Sequence, residues 1–228
     1  MTEKWRIDLH NHTKWSKDCL TEFETIIRLC EKRGMDKIAI TDHNTADGAL
    51  AMKKLAPELV IVGEEIMTPQ GEILAYYVQE TIPAGLSPEE TIKLLRDQGA
   101  VISVSHPFDR LRKGAWKEPD LLRIIDQVDA IEVFNARCMF AADNHKALQF
   151  AQKHKLLGTV GSDSHTRREY GTALTLMPPF EDTAEGFLAA LQDAEYDNKL
   201  SSWLVHFGSK FSKWSKKLGL KPRMWDGG

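Results

Sequence analysis

Short β-rich runs alternate with longer helical patterns along this chain, and most of the runs lead into a His, Asp or Glu. Arg6 to Leu9 reads as a strand and passes into Asp8-Leu9-His10-Asn11-His12. Glu22 to Arg33 has helical spacing, with Phe23, Ile26, Ile27 and Cys30 on one face, and Gly34 stops it. Lys37 to Thr41 is a second strand ending in Thr41-Asp42-His43, and Ala46 to Leu55 a second helix. Leu59 to Ile66, carrying Gly63-Glu64-Glu65, is a third strand; Glu72 to Val78 continues it as a hairpin or meander. Ser87-Pro88-Glu89-Glu90 marks a helix start, with Ser87 as N-cap and Glu90 closing a capping box, and that helix ends at Gly99. Val101 to Ser105, Ala130 to Phe134 and Leu157 to Val160 are further strands. This order predicts an α/β fold: a largely parallel sheet or barrel with helices outside.

A chain of 228 residues is long enough for one such core. The net charge of -3 gives the molecule no global nucleic-acid signature. No apolar run approaches the roughly 20 residues of a membrane span, so no transmembrane segment is expected. Met1 to Arg6 has no signal-peptide core. Cys19, Cys30 and Cys138 are too few and scattered for a disulfide framework and lack metal-ligand spacing, which predicts buried thiols and a cytoplasmic setting.

The chemistry sits at the strand ends. His10 and His12 are two apart in an extended segment, so their side chains point the same way and can reach one cation. Alone, this pair is equally well a pair of ordinary polar histidines. Asp42 and His43, Glu64 and Glu65, His106, and Asp163 with His165 repeat the pattern at later strand ends, the face on which barrel enzymes build their sites. Together they predict a metal or catalytic centre.

In this order, Asp8-Leu9-His10-Asn11-His12, Thr41-Asp42-His43, Gly63-Glu64-Glu65-Ile66, His106-Pro107 and Gly161-Ser162-Asp163-Ser164-His165 resemble the PHP (polymerase and histidinol phosphatase) superfamily, from about Ile7 to Gly171. The resemblance implies a distorted seven-stranded β/α barrel with a C-terminal helical extension: residues 1–180 as the metal-binding barrel and 181–228 as a helical segment packed on it. It also implies two or three divalent ions (zinc, manganese or iron). By the family's motifs, one ion takes His10, His12, Glu65 and Asp163; a second shares Glu65 and takes His106; a third takes Asp18, His43 and His165. The chain departs from the family at Glu72, where many members carry a further histidine.

Such ions lower the pKa of a bridging water and stabilise the attacking and leaving oxygens of a displacement, which implies a phosphoesterase acting on a phosphomonoester, a nucleotide or a short oligonucleotide end. Arg110, Asn135 and Arg137 follow strands and are expected to meet the substrate, the arginines through forked guanidinium groups suited to phosphate. Arg167 and Arg168 are rim candidates; Lys14 and Lys17 add positive field near Asp18. Asp42 either orients a ligand or caps the helix starting at Thr45-Ala46. His145, His154 and His206 fall on helical stretches and read as surface or packing residues. The rival readings are an amidohydrolase-like metallohydrolase, which lacks its bridging Lys here, and a metal-binding barrel without catalysis. Beyond Lys199, Leu200, Trp203, Leu204, Phe207, Phe211, Trp214 and Leu218 follow helical spacing among Lys210, Lys213, Lys216, Lys217, Lys221 and Arg223. That pattern predicts a terminal helix packing its aromatic stripe on the barrel, with an anionic partner as the alternative.

Overall fold

The structure is a computed structural model and describes residues 3–202 and 205–219; of His206 and Phe207 only the backbone is described. The chain runs β1 (Trp5–Asp8), α1 (Phe23–Arg33), β2 (Lys37–Ile40), α2 (Asp47–Leu55), β3 (Val60–Met67), β4 (Glu72–Tyr76), α3 (Pro88–Asp97), β5 (Val101–Val104), α4 (Glu118–Ile124), β6 (Ala130–Asn135), α5 (Ala141–His154), β7 (Leu157–Gly161), β8 (Ala173–Met177), α6 (Ala184–Leu191), β9 (Glu195–Asn198) and α7 (Val205–Lys217). The expected capping box is present at Ser87 and Glu90.

All strands among the described residues belong to one sheet, ordered β7-β6-β5-β4-β3-β2-β1-β8-β9. β1, β2 and β3 are parallel, as are β5, β6 and β7; β4 is antiparallel to both its neighbours. β8 is antiparallel to β1, and β9 to β8. The sheet curls until its ends nearly meet. Asn11 and Ser164, just beyond β1 and β7, form a parallel bridge. Between β7 and β8 hydroxyls replace a backbone ladder. Thr175 Oγ1 accepts from Val160 N at 3.2 Å and donates to Val160 O at 3.2 Å, and Ser162 Oγ accepts from Ala173 N at 3.0 Å.

The result is a nearly closed, barrel-like mixed sheet of nine strands, not seven. The strands expected from sequence are β1 to β7. β8 has only five residues, and β9 is four exposed polar or aromatic residues, Glu195 to Asn198, without a buried apolar face to mark it. β9 also places a strand inside the segment expected to be helical.

The barrel interior holds Ile7, Leu9, Ala39, Ile61, Leu74, Tyr76, Val101 and Ala130, and α6 plugs it with Phe187 and Leu191. The outer sheet face packs Ile38, Ile40, Val62, Ile102 and Val160 against the helices. Phe187 is fully buried against Tyr76, Tyr77 and Phe180. With one end filled by apolar side chains, the interior is left for polar groups where the parallel strands finish.

α7 corrects the expected packing of the aromatic stripe. Ser212 and Ser215 are buried, whereas Phe211, Trp214 and Leu218 are 54%, 55% and 53% exposed. Small residues let the helix approach the polar rim, which bulky rings on that face would prevent, and Ser212 returns its hydroxyl to the Gly208 carbonyl at 3.0 Å. Trp203, Leu204, Lys221 and Arg223 lie outside the described residues. No described helix is long and apolar enough to cross a membrane. Cys19, Cys30 and Cys138 are free and buried, as expected, and burial pushes the Cys19 thiol up to about 11.

Candidate metal centre

His10, His12, His43, Glu65, His106, Asp163 and His165 converge at the carboxyl ends of the strands, with Asp18 entering from the loop after His12. Each is placed by its strand. Gly161 is required where β7 ends, because a Cβ there would lie 2.3 Å from His10 Cβ. Two residues on, Asp163 takes a left-handed backbone (φ 52), a conformation Asp tolerates better than most residues. This turn directs its carboxylate into the cluster and its carbonyl toward His165.

His10 Nε2 lies 3.2 Å from His12 Nε2, 3.2 Å from Glu65 Oε1 and 3.8 Å from Asp163 Oδ1. His12 Nε2 is 3.3 Å from Asp163 Oδ1 and 3.6 Å from Glu65 Oε2. Four donors around an ion at ~2.0–2.1 Å would stand about 3.3–3.4 Å apart, the edge of a tetrahedron of that size. The observed spacings fit. His106 Nε2 lies 3.2 Å from Glu65 Oε1 and 3.2 Å from Glu72 Oε2, so Glu72 does reach the cluster. Asp18 Oδ1 lies 3.3 Å from His165 Nε2 and 3.5 Å from His43 Nε2. His43 also turns Nδ1 to within 2.8 Å of Glu65 Oε2, so it stands between two of the expected ligand sets.

The tautomers point the same way. Glu132 Oε1 accepts from His10 Nδ1 at 2.9 Å, Ser16 Oγ from His12 Nδ1 at 3.1 Å, and the Asp163 carbonyl from His165 Nδ1 at 2.9 Å. A carbonyl can only accept, and Ser16 spends its proton on Asp42 Oδ1 at 2.6 Å. Each of these rings therefore keeps a hydrogen on Nδ1, so that in its neutral form the nitrogen presenting a lone pair to the cluster is Nε2. Asp163 divides its oxygens: Oδ2 accepts from Arg112 and from Asn135 Nδ2 (3.2 Å), while buried Oδ1 has no hydrogen-bond donor. Glu65 Oε2 and Asp18 Oδ1 are likewise buried without donors. Facing lone pairs and undonated carboxylate oxygens are a donor set for cations.

Charge is tightly balanced. Burial alone would raise the Asp163 and Glu65 carboxyls, but Arg112 and His10 beside Asp163, and His10 and His43 beside Glu65, hold both well below the usual range. Burial pulls His10 down, yet Glu65, Asp163 and Glu132 raise it overall; His12 is pushed well below its ordinary value by burial and by His165 and His43.

Several site expectations change. Arg110 does not reach the cluster: it bonds Asp143 (Nε to Oδ1, 2.9 Å) and lies over the Phe140 ring, with its side chain 58% exposed. Arg112, two residues on, reaches Asp163 instead, because the turn over Asp109 to Arg112 sends the two guanidinium groups to different sides. Asn135 spends its amide on Asp163 and Glu132 and holds the Arg137 backbone at 2.9 Å, so it positions groups within the cluster. Arg137 lines the cavity, with Nη2 donating to Ser209 Oγ at 2.6 Å and Nη1 3.5 Å from Glu169. Asp42 orients and does not cap: it accepts from Thr13 and Ser16, and the α2 N-cap position is Ala46. Lys14 pairs with Glu22, and neither Arg167 nor Arg168 lines the cavity. His145 and His154 lie on α5, His154 against Phe150; the His206 side chain is outside the described residues. Glu132 is the residue the sequence reading lacked. It sits inside β6, in an ordinary apolar strand pattern, and nothing local marks it.

The fold is thus a nearly closed β/α barrel whose strand ends carry His and carboxylate groups that could hold divalent ions. The comparisons give the family. A family model described as PHP-associated matches residues 141–196. The uncharacterized protein MJ1587 of Methanocaldococcus jannaschii is 40% identical over 145 residues, covering 58% of this chain and 82% of the relative. A two-domain Bacteroides vulgatus protein containing a predicted PHP-like metal-dependent phosphoesterase superposes with a TM-score of 0.72 at 19% identity, over 87% of this chain and 66% of that one. Endonuclease Q, in complex with a 27-mer duplex carrying an abasic lesion at its active site, gives a TM-score of 0.58 at 15% identity, over 83% of this chain. This chain spans 57% of that enzyme. The chain belongs to the PHP superfamily.

Proposed function

We propose that this chain is a metal-dependent phosphoesterase whose ions are held by His10, His12, Asp18, His43, Glu65, His106, Asp163 and His165, with Glu72 beside His106. The observation that carries the reading is the convergence of undonated carboxylate oxygens and Nε2 lone pairs at tetrahedral spacing. Imidazole and carboxylate favour zinc, manganese or iron over calcium. When bound, such ions supply a nucleophile at neutral pH and neutralise the phosphate charge.

The chain's own residues do the rest. Glu132, Ser16 and the Asp163 carbonyl fix the tautomers of His10, His12 and His165. Asn135 and Arg112 hold Asp163 Oδ2, leaving Oδ1 to the cluster. Arg112 and Arg137 line the cavity over His165 and Asp18, where their guanidinium groups would bind the phosphate oxygens. Buried Asp163, His10 and Glu65 exclude bulk water beneath. We also keep the division into a barrel (1–180) and a terminal segment (181–228), and, from three buried free thiols, a cytoplasmic setting.

The test is direct. Purified protein loaded with zinc or manganese should bind more than one ion per chain and hydrolyse a generic aryl phosphate. Asp163→Asn should abolish turnover and lower the metal content. Wild-type rates in that variant would refute the ligand assignment. Full metal binding with no turnover on any phosphate ester would leave a barrel that binds metal without catalysis.

A further inference from the structure

α7 covers the metal cluster with its polar face. It is pinned at both ends: Arg137 Nη2 donates to Ser209 Oγ at 2.6 Å, and Lys216 Nζ donates to the carbonyls of Lys14 (2.5 Å) and Ser16 (2.6 Å), in the loop that carries His12. Gly208 permits the approach, since a Cβ there would lie 2.7 Å from Thr166 Cγ2, next to His165. Beneath the helix is a cavity of about 230 Å³, with Asp18 and His165 on its floor, Arg112 and Arg137 on its wall, and Lys210 and Lys213 from α7 above. Lys210 and Lys213 are one helical turn apart, so both face the cavity from the same side of the helix.

We propose that α7 is the roof of the active site and that its Lys210 and Lys213 are specificity-determining residues that select a terminal phosphate, a phosphomonoester, over an internal phosphodiester. The inference rests on the phosphoesterase reading and adds a substrate class to it. Four cationic side chains line the space above the cluster: Arg112 and Arg137, which also pair with Asp163 and Glu169, and Lys210 and Lys213 from α7. A terminal phosphate brings about -1.5 to -2 charges and three acceptor oxygens at neutral pH, whereas a diester brings a single charge and two such oxygens. The cavity is also smaller than the roughly 300–1,000 Å³ common for ligand pockets. A phosphoryl group with one ester arm can enter beside a helix anchored at both ends. A phosphate inside a polymer brings less charge to the same cations and a second arm to place in that small space.

The experiment uses the metal-loaded full chain in three forms: wild type, Lys210→Ala/Lys213→Ala, and Lys54→Ala/Lys153→Ala, a charge-matched control that removes two exposed lysines on α2 and α5, away from the cavity. Calorimetry with inorganic phosphate reads the anion site without turnover. Steady-state kinetics compare an aryl phosphomonoester with a bis-aryl phosphodiester. The double variant should bind phosphate at least about tenfold more weakly and raise KM for the monoester by a similar factor, with kcat within about twofold. Its monoester-to-diester preference in kcat/KM should fall by about the same tenfold, while Lys54→Ala/Lys153→Ala matches wild type. Unchanged phosphate affinity in the double variant, or equal losses on both esters, would overturn the proposal while leaving the phosphoesterase reading intact. If wild type hydrolyses neither ester, that reading fails, and the calorimetric arm still decides the roof: loss of phosphate affinity in the double variant supports it, and no loss overturns it.

Discussion

Glu132→Gln is the sharpest perturbation of the proposed centre, because it changes one atom and replaces no ligand. Glu132 faces three donors: Oε1 takes the proton of His10 Nδ1 at 2.9 Å, and Oε2 takes His106 N at 2.7 Å and Asn135 Nδ2 at 3.1 Å. Glutamine has the same shape but must point its amide NH2 at one side. Toward His10, the NH2 forces Nδ1 to accept, so the ring proton moves to Nε2 and faces Glu65 and Asp163 where a lone pair is needed. Loss of such a supporting carboxylate costs about 10–100-fold in metal affinity, or ~1.4–2.7 kcal/mol. Toward His106, the NH2 instead opposes two buried donors, at ~1–3 kcal/mol for each group left unpaired. The variant should therefore lose metal affinity, fold stability, or some of both. Competition with a chromophoric chelator measures the first and denaturant unfolding of the metal-free protein the second. A variant with wild-type affinity and wild-type stability would refute the tautomer assignment on which the centre is built.

Stripping metal with a chelator should lower the melting temperature, and adding zinc or manganese should restore it. An ion at 100 times its Kd adds about 2.7 kcal/mol per site, so an unchanged melt on metal addition would count against a cation site. Arg112→Ala should reduce kcat/KM on an aryl phosphate by about 10²–10³-fold, as loss of a positioned charge donor does. Arg110→Ala, which removes an ion pair with Asp143 outside the cluster, should leave the rate near wild type, and steady-state kinetics will separate the two. Phe187→Ala should cost ~3–5 kcal/mol in denaturant unfolding, because α6 would no longer fill the barrel floor. Gly161→Ala should fold poorly or lose metal, read by metal content and circular dichroism, since its new methyl would strike His10.

What the sequence determined by itself was the alternation of strands and helices and the identity of the residues at the strand ends. Both are local: period and capping set the elements, and a strand end delivers its next residues to one face of a barrel whatever the other strands do. His10, His12, Glu65, His106, Asp163 and His165 could thus be read one strand at a time. Even Glu72, out of place against the family motif, was legible as a carboxylate, and the structure brings it to His106. Only the tertiary structure decided the rest, because the rest depends on which distant groups meet. His43 turns toward both Glu65 and Asp18. Glu132 sits in a strand pattern that gives no sign of its contact with His10, 122 residues away. Arg110 and Arg112 differ by two positions and a turn, and the turn alone chose between a surface ion pair and Asp163. α7 followed the same physics: periodicity marked its apolar stripe, but the polar mouth of the barrel drew the face of Ser212 and Ser215 inward, and that choice made a terminal helix into the roof of a site.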